Sequence, residues 1–158
     1  MMELIDYPVI YNQNVAWGDM DAFGHVNNTI YYRYIESARI CYFDQLNIFE
    51  QDVYTVVASS QCKYLSPVVY PDQLKIGVRI EELRNSAIRM SYVLWSTAQQ
   101  NNVALGEAVI VCVDKMNMKK TPIPENIRHK IKDERVFDCT LFTIKIPIKN
   151  NYKESDDE

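Results

Sequence analysis

The feature that most constrains this chain is one long helical segment followed by four strand-like segments. Between Asn28 and Leu46, apolar side chains recur at helical spacing on one side: Ile30, Tyr31, Tyr34, Ile35, Ala38, Tyr42 and Leu46. Asn27 or Asn28 can cap this helix, because an Asn side chain accepts hydrogen bonds from the free N–H groups of the first turn. A single helix with one apolar side must be covered by a sheet.

Alternation of apolar and polar side chains predicts the strands of that sheet. One strand precedes the helix and four follow it: Val9 to Trp17, Tyr54 to Tyr64, Leu74 to Glu81, Ile88 to Thr97 and Val103 to Val113. In the second strand, we expect Val56, Ala58, Ser60 and Cys62 to share one face. Turn-like residues at 84–86 and 100–102 predict hairpins, so the last three strands should form an antiparallel meander.

The predicted fold class is therefore α+β, with a curved antiparallel sheet wrapped around one long central helix. Such a sheet leaves edge strands, and we expect dimerisation through one of them. We assign residues 1–132 to this domain and residues 133–158 to a C-terminal extension. A short helix should follow Pro124 and run to about Lys132. Within the extension, Thr140 to Lys149 is predicted as an edge strand or as an arm on another subunit, and the acidic tail as frayed.

Composition excludes several classes of protein. The 158 residues fit one domain, and the formal net charge of -4 argues against a nucleic-acid-binding domain. We expect no secretory signal, because residues 1–10 show no basic n-region and no long apolar h-region, and no stretch approaches the roughly 20 apolar residues that would span a membrane. The four cysteines, Cys41, Cys62, Cys112 and Cys139, show no C-x-x-C spacing. We therefore expect reduced, mostly buried thiols in a cytoplasmic protein.

The polar loop from Gly18 to Asn28, which opens the helix, is the strongest candidate for chemistry. A helix N-terminus offers free backbone N–H groups and the positive end of a dipole, which can polarise a carbonyl oxygen. The Asp21 carboxylate can lie on the other side of that carbonyl, where it can attack directly or take a proton from water. Asp19 is expected to bond loop amides instead. The sequence lacks phosphate-binding glycine loops, zinc-site spacings and a nucleophile elbow.

The run from Trp17 to Asn28, WGDMDAFGHVNN, followed by YYRYIESAR at residues 31–39, resembles the 4-hydroxybenzoyl-CoA thioesterase-like branch of the hot-dog superfamily. Two later stretches, at residues 64–74 and 106–109, are similar to the same branch. The resemblance covers roughly Val9 to Lys132. The Asp-x-Asp-x-x-Gly-His-Val-Asn-Asn run is the most specific part of it.

The resemblance implies a hot-dog subunit that works as a dimer or a dimer of dimers, with an acyl-CoA in a cleft between subunits. It places the catalytic carboxylate on Asp21 and the carbonyl-binding N–H groups on Asn28 and its neighbours. It implies no metal, and no cofactor apart from the coenzyme A of the substrate. The expected function is hydrolysis of an acyl-CoA thioester, or of an acyl group carried on an acyl carrier protein.

Further residues are candidates for catalysis or substrate binding, and each of them can instead have a purely structural role. His25 can orient substrate or water, or simply order the loop. Gly24 supplies a backbone shape, and Asn27 a cap, so substrate binding is secondary for both. Ser59 and Ser60 can line the acyl pocket or pack in the core. Three lysines, Lys115, Lys119 and Lys120, can bind the phosphates of coenzyme A or remain solvated.

Two other functions stay open at this point. The extension after Asp133 suggests a non-catalytic acyl-CoA sensor or scaffold as one of them. Hydratase or dehydratase chemistry also occurs on hot-dog folds, and His25 beside Asp21 keeps it open. The acyl group itself is not specified, because a pocket of Tyr, Val, Ile and Phe suits aromatic and aliphatic acids alike.

Overall fold

The computed structural model describes residues 3–133, 137–138 and 153–155, and there one long helix packs on an antiparallel sheet. The helix α1 spans Asn28–Gln45, and the main strands are β1 (Val9–Asn14), β2 (Val53–Tyr64), β3 (Gln73–Leu83), β4 (Ala87–Ser96) and β5 (Asn101–Asp114). The helix α2 (Glu125–Lys132) and two short strands, β6 (Phe137–Asp138) and β7 (Lys153–Glu154), follow. The predicted α+β hot-dog arrangement is confirmed.

Strand order in the sheet is β2-β5-β4-β3-β1-β6, and β7 pairs with β3. The predicted meander of β3, β4 and β5 is confirmed, since each of these strands pairs antiparallel with the next. Strand β2 lies at one end of this order, where its second edge has no partner strand among the described residues. The sheet therefore presents a 12-residue free edge along β2.

The core lies between α1 and the inner face of the sheet. Helix residues Tyr31, Ile35 and Ala38 are buried there, against alternate residues of the strands. Gly106 of β5 lies directly under Ile35, and a Cβ atom at Gly106 would come within 2.7 Å of Ile35 Cδ1. The missing side chain lets the helix approach the sheet closely at this point.

The alternation predicted for β2 is wrong beyond Val57. The pairing of β2 with β5 shifts between Val57 and Ser59, where a β-bulge places one extra residue in β2. Val57 therefore shares the helix-facing side with Ser60 and Cys62, whereas Ser59 points to the outer side. An inserted residue reverses the face on which every later side chain lies, and the alternation of apolar and polar residues in β2 does not predict the bulge.

Element ends differ from the predictions in two places. The first strand stops at Asn14, and Trp17 begins a 3-10 turn (Trp17–Asp19). The hairpin at 84–86 is confirmed, but the second turn lies earlier than predicted, because β4 ends at Ser96 and Asn101 already belongs to β5. The helix after Pro124 is confirmed as α2. The predicted segment from Thr140 to Lys149 lies outside the described residues, and the division at residue 132 stays a prediction.

The cysteines follow the prediction only in part. Cys62 and Cys112 are free thiols, and burial raises the pKa of both, that of Cys112 to about 11. Cys41 is disulfide-bonded, so the expectation of a reduced thiol is wrong there. Sequence spacing does not show which distant cysteines approach each other. Cys139 lies outside the described residues. Within the described ranges, no helix is both long and apolar enough to cross a bilayer.

On the outer face of the sheet, Gly77 of β3 receives the ring of Tyr7. A Cβ atom at Gly77 would lie 2.6 Å from Tyr7 Cγ and 2.9 Å from Val93 Cγ1. The Arg79 guanidinium lies 5.0 Å from the centroid of the same ring. The N-terminal segment is thus fixed to the sheet by a close contact that only glycine permits.

We predict that Gly77→Ala lowers the free energy of unfolding by about 1–3 kcal/mol, because the added methyl overpacks the contact with Tyr7. Gly18→Ala is the matched control, since nothing lies within 4 Å of a Cβ atom at Gly18. Urea unfolding followed by circular dichroism measures both variants. Equal stability of the two variants would contradict this packing.

Candidate active site

The loop between β1 and α1 folds into a tight turn at Asp21. Gly24 N donates to Asp21 O at 3.0 Å, and Asp21 N donates to His25 O at 2.9 Å. Gly24 has a φ of 79°, a backbone conformation that glycine adopts at little cost. The Asp21 carboxylate closes the turn, because Asp21 Oδ1 accepts a hydrogen bond from Phe23 N at 2.9 Å. One carboxylate oxygen is therefore used to shape the loop.

A second set of hydrogen bonds ties this loop to the helix and to a neighbouring loop. Asp19 Oδ2 accepts from Ala16 N at 3.0 Å and also from the hydroxyl of Tyr34, a buried residue of α1. Burial and the adjacent Asp19 carboxylate raise the pKa of Tyr34, so its hydroxyl stays a donor. Val26 N donates to Val68 O at 2.8 Å. Asp19 thus has the structural role that the sequence predicted.

The first turn of α1 leaves one backbone donor free. Asn27 caps the helix, since its Oδ1 accepts from Thr29 N at 3.0 Å and from Thr29 Oγ1 at 2.7 Å. Ile30 N donates to Asn27 O at 2.9 Å. In the described part of the chain, the Asn28 amide has no hydrogen-bond acceptor. The positive end of the helix dipole therefore presents one unpaired N–H group.

Asp21, His25 and Asn28 line one open cavity of about 590 Å³. The predicted catalytic residues are thus brought together. The other residues of its lining are mainly apolar or aromatic: Phe23, Val26, Tyr31, Tyr64, Leu65, Ser66 and Pro67. Asp21 Oδ2, the oxygen not used by Phe23, lies 3.5 Å from Asn27 Nδ2. The cavity combines a carboxylate with a free backbone donor inside an apolar wall, an arrangement suited to acyl transfer.

Two tyrosines of this cavity were missed by sequence reasoning. Tyr64, at the end of β2, donates its hydroxyl to Asn28 O at 2.8 Å. Its ring meets that of Tyr31 edge to face, with centroids 4.9 Å apart. Burial raises the pKa of both residues, that of Tyr64 to about 12. The available signal was the position of Tyr64 at the start of the second stretch that resembles the family.

The remaining predicted binding residues lie elsewhere in the subunit. Ser59 and Ser60 line a separate cavity of about 190 Å³ with Arg89 and Glu107. Lys115 lines another, of about 350 Å³, and its Nζ lies 5.4 Å from the ring centroid of Tyr54.

Lys119 and Lys120 are exposed near that end of the sheet. The 12 residues of β2 separate this end from Tyr64, roughly 35 Å at strand spacing. Within one subunit, the three lysines therefore do not reach Asp21.

A larger cavity of about 680 Å³ lies along the outer face of the sheet and shares Leu65 with the Asp21 cavity. Its carboxylates are already engaged: Glu81 accepts from Ser91 at 2.6 Å, and Glu107 pairs with Arg89 at 3.2 Å. Because these carboxylates are ion-paired or hydrogen-bonded, the smaller cavity is the better candidate. Over the described ranges, no group of three or more His, Cys, Asp or Glu residues could hold a metal ion.

The sequence matches the family model of the Thioesterase-like superfamily over residues 15–131, and the chain belongs to this superfamily. The protein YsmA of Bacillus subtilis is 34% identical over 108 residues, which are 67% of this chain and 73% of YsmA. The acyl-CoA thioester hydrolase YbgC of Escherichia coli O157:H7 is 28% identical over 125 residues, 75% of this chain and 91% of YbgC.

Solved structures agree with this assignment. A thioesterase from Thermus thermophilus, crystallised with coenzyme A and Zn, superposes with a TM-score of 0.71 at 33% identity. The superposition covers 80% of this chain and 94% of the Thermus chain.

We predict that Asn27→Ala lowers the free energy of unfolding by about 1 kcal/mol, because the Thr29 amide loses its cap. Asn27→Ser should keep most of that stability, since a serine hydroxyl also accepts from the first turn. Thermal unfolding of the three proteins measures the difference. Equal losses in both variants would show that the cap is not what Asn27 contributes.

Proposed function

We propose that this chain hydrolyses acyl-CoA thioesters to a free acid and coenzyme A, with Asp21 as the catalytic carboxylate. The observation that carries the proposal is the cavity lined by both Asp21, which brings a carboxylate, and Asn28, whose backbone amide has no acceptor among the described residues. Membership of the Thioesterase-like superfamily supports it, as does the similarity to YbgC, which is named an acyl-CoA thioester hydrolase.

The proposed mechanism uses the two groups on opposite sides of the thioester carbonyl. The carbonyl oxygen accepts from the Asn28 amide, and the helix dipole stabilises the negative charge that develops on it. Asp21 attacks the carbonyl carbon or removes a proton from an attacking water. In the first route the carboxylate displaces the coenzyme A thiolate to form an acyl anhydride, and water then hydrolyses this anhydride, which releases the free acid and regenerates Asp21. In the second route the attacking water displaces the thiolate. In both routes the C–S bond breaks and the proton taken up by the thiolate comes from the water. His25, exposed at the rim of the cavity, orients substrate or water.

The lining of the cavity suits an apolar acyl group. Phe23, Tyr31, Tyr64 and Leu65 surround the position of the carbonyl, so an aromatic or aliphatic acid contacts rings and methyl groups there. The same chemistry serves an acyl group on coenzyme A or on an acyl carrier protein, because both present it through a pantetheine thioester.

We further propose a cytoplasmic homodimer formed along β2, two of which can associate into a homotetramer. Val57 and Ser60 are exposed on the helix-facing side of β2, and its second edge has no partner in the described part of the chain. Antiparallel pairing of two β2 edges would bring the Lys115 end of one copy beside the Tyr64 end of the other. The lysines expected to bind the phosphates would then serve the partner's site.

The first test is thiol release from short, long and aromatic acyl-CoAs. Asp21→Asn should lower kcat at least about 100-fold, since it removes the charge but keeps an oxygen for Phe23 N. Asp44→Asn is the matched control, because Asp44 is an exposed carboxylate on α1 far from the turn. Unchanged turnover in Asp21→Asn would contradict the assignment of Asp21.

The same panel separates the alternatives. Tight acyl-CoA binding without turnover in the wild type would favour an acyl-CoA sensor. Loss of enoyl-CoA absorbance without thiol release would favour a hydratase.

Sedimentation velocity tests the assembly. We expect the wild type to sediment as a dimer or tetramer of the 18.5 kDa chain, and Val57→Asp to sediment as a monomer, because a buried charge opposes edge pairing. Ile5→Asp is the control, since Ile5 is exposed near the N-terminus, away from β2. A monomeric wild type would contradict the dimer.

A further inference from the structure

Tyr64 joins the free-edge strand β2 to the helix start that carries the unpaired amide. We propose that Tyr64 is a positioning residue, whose hydroxyl fixes the Asn28 backbone so that the Asn28 amide points into the cavity. This inference rests on the proposed hydrolysis of acyl-CoA. It assigns to the Tyr64 hydroxyl a contribution to turnover rather than to substrate binding.

The first support is the contact itself. The Tyr64 hydroxyl donates to Asn28 O at 2.8 Å, across 36 positions of sequence. Asn28 is the first residue of α1, where helical hydrogen bonds restrain the backbone least. The Asn28 carbonyl and the Asn28 N–H belong to two peptide planes that are joined at the Asn28 Cα. Holding the carbonyl from outside the helix therefore restrains the backbone angles that set the direction of the N–H. Tyr64 supplies this restraint from a different element of the fold.

The second support is that the Tyr64 ring is itself held. Its edge-to-face contact with Tyr31 rests on a side chain that is only 3% exposed. The Tyr31 hydroxyl hydrogen-bonds to the backbone of Val68, and Val68 O accepts from Val26 N in the catalytic loop. The two tyrosines thus connect the end of β2, the start of α1 and the loop after Asp21. Removing the Tyr64 hydroxyl should leave this stack of rings in place.

The third support is that the Tyr64 hydroxyl keeps its proton, and so can donate, at neutral pH. Burial raises the pKa of Tyr64 to about 12. The side chain therefore stays protonated far above neutral pH, and its hydrogen bond to a carbonyl oxygen, which needs that proton, persists. A pH profile of turnover in the neutral range should not report ionisation of Tyr64.

The test compares Tyr64→Phe with the wild type in thiol release from a good acyl-CoA substrate. We expect kcat to fall roughly five- to tenfold, the scale of one neutral hydrogen bond expressed in the transition state, with KM changed less than twofold. Tyr11→Phe is the matched control, since Tyr11 lies on β1, which β5, β4 and β3 separate from β2 in the sheet, and is expected to leave kcat unchanged.

A thioether analogue, S-alkyl-coenzyme A, separates positioning from direct substrate contact. This compound has no carbonyl to meet the Asn28 amide, so Tyr64→Phe should bind it as tightly as the wild type does. Weaker binding of the thioether together with a raised KM would overturn the inference, because the Tyr64 hydroxyl, the only group that Tyr64→Phe removes, would then contact the substrate.

If the wild type is active and Tyr64→Phe has the same kcat, the inference is overturned while the proposed function stands. An inactive wild type would instead contradict the proposed function, and the inference with it. Far-UV circular dichroism of Tyr64→Phe at the assay temperature establishes that the variant is folded in each comparison.

Discussion

The helix α1 must bury its one apolar side against the sheet, and Gly106 of β5 makes room for this packing. Ile35 packs onto this position, where a side chain on the strand would collide with it. Because the helix packs on β3 and β1, and on β5 at Gly106, the position of its first residue is fixed as well. The loop before the helix, the free amide and the cavity all depend on this contact between one helix and one sheet.

From the helix start, the geometry extends outward through hydrogen bonds that cross between elements. Asp19 links the loop to Tyr34 in the second turn of α1, and Val68 links it to the segment after β2. These contacts leave two groups available for chemistry: one oxygen of Asp21 and the amide of Asn28. Most polar groups of the loop form hydrogen bonds that hold its structure, and the proposed site consists of the two groups that do not.

The parts of the structure that sequence reasoning predicted are those with a local signal. The periodicity of α1 and the Asn27 cap are encoded within neighbouring residues, and so is the polar run from Gly18 to Asn28. The features it missed depend on pairing between distant segments. The bulge after Val57 reverses the facing of Ser59 and Ser60, and the alternation of β2 carries no trace of it.

The same limit applies to the site. Within one subunit, Lys115 is far from the loop and from Asp21, because the length of β2 separates them. This separation could not be predicted from the sequence, because it depends on the register of the strand pairing. Tyr64 was missed for a related reason, since its hydrogen-bond partner, Asn28, lies 36 positions away in sequence.

The central claim is that the Asn28 amide and Asp21 act on one thioester carbonyl, and amide NMR tests it most directly. The ¹⁵N-labelled protein is titrated with a ketone analogue of acyl-CoA, in which a methylene replaces the sulfur and hydrolysis is impossible. The Asn28 amide proton should move downfield as it gains an acceptor, and more than that of Thr29, which is already bonded to Asn27 Oδ1. Saturable binding that leaves the Asn28 amide unmoved would contradict the account.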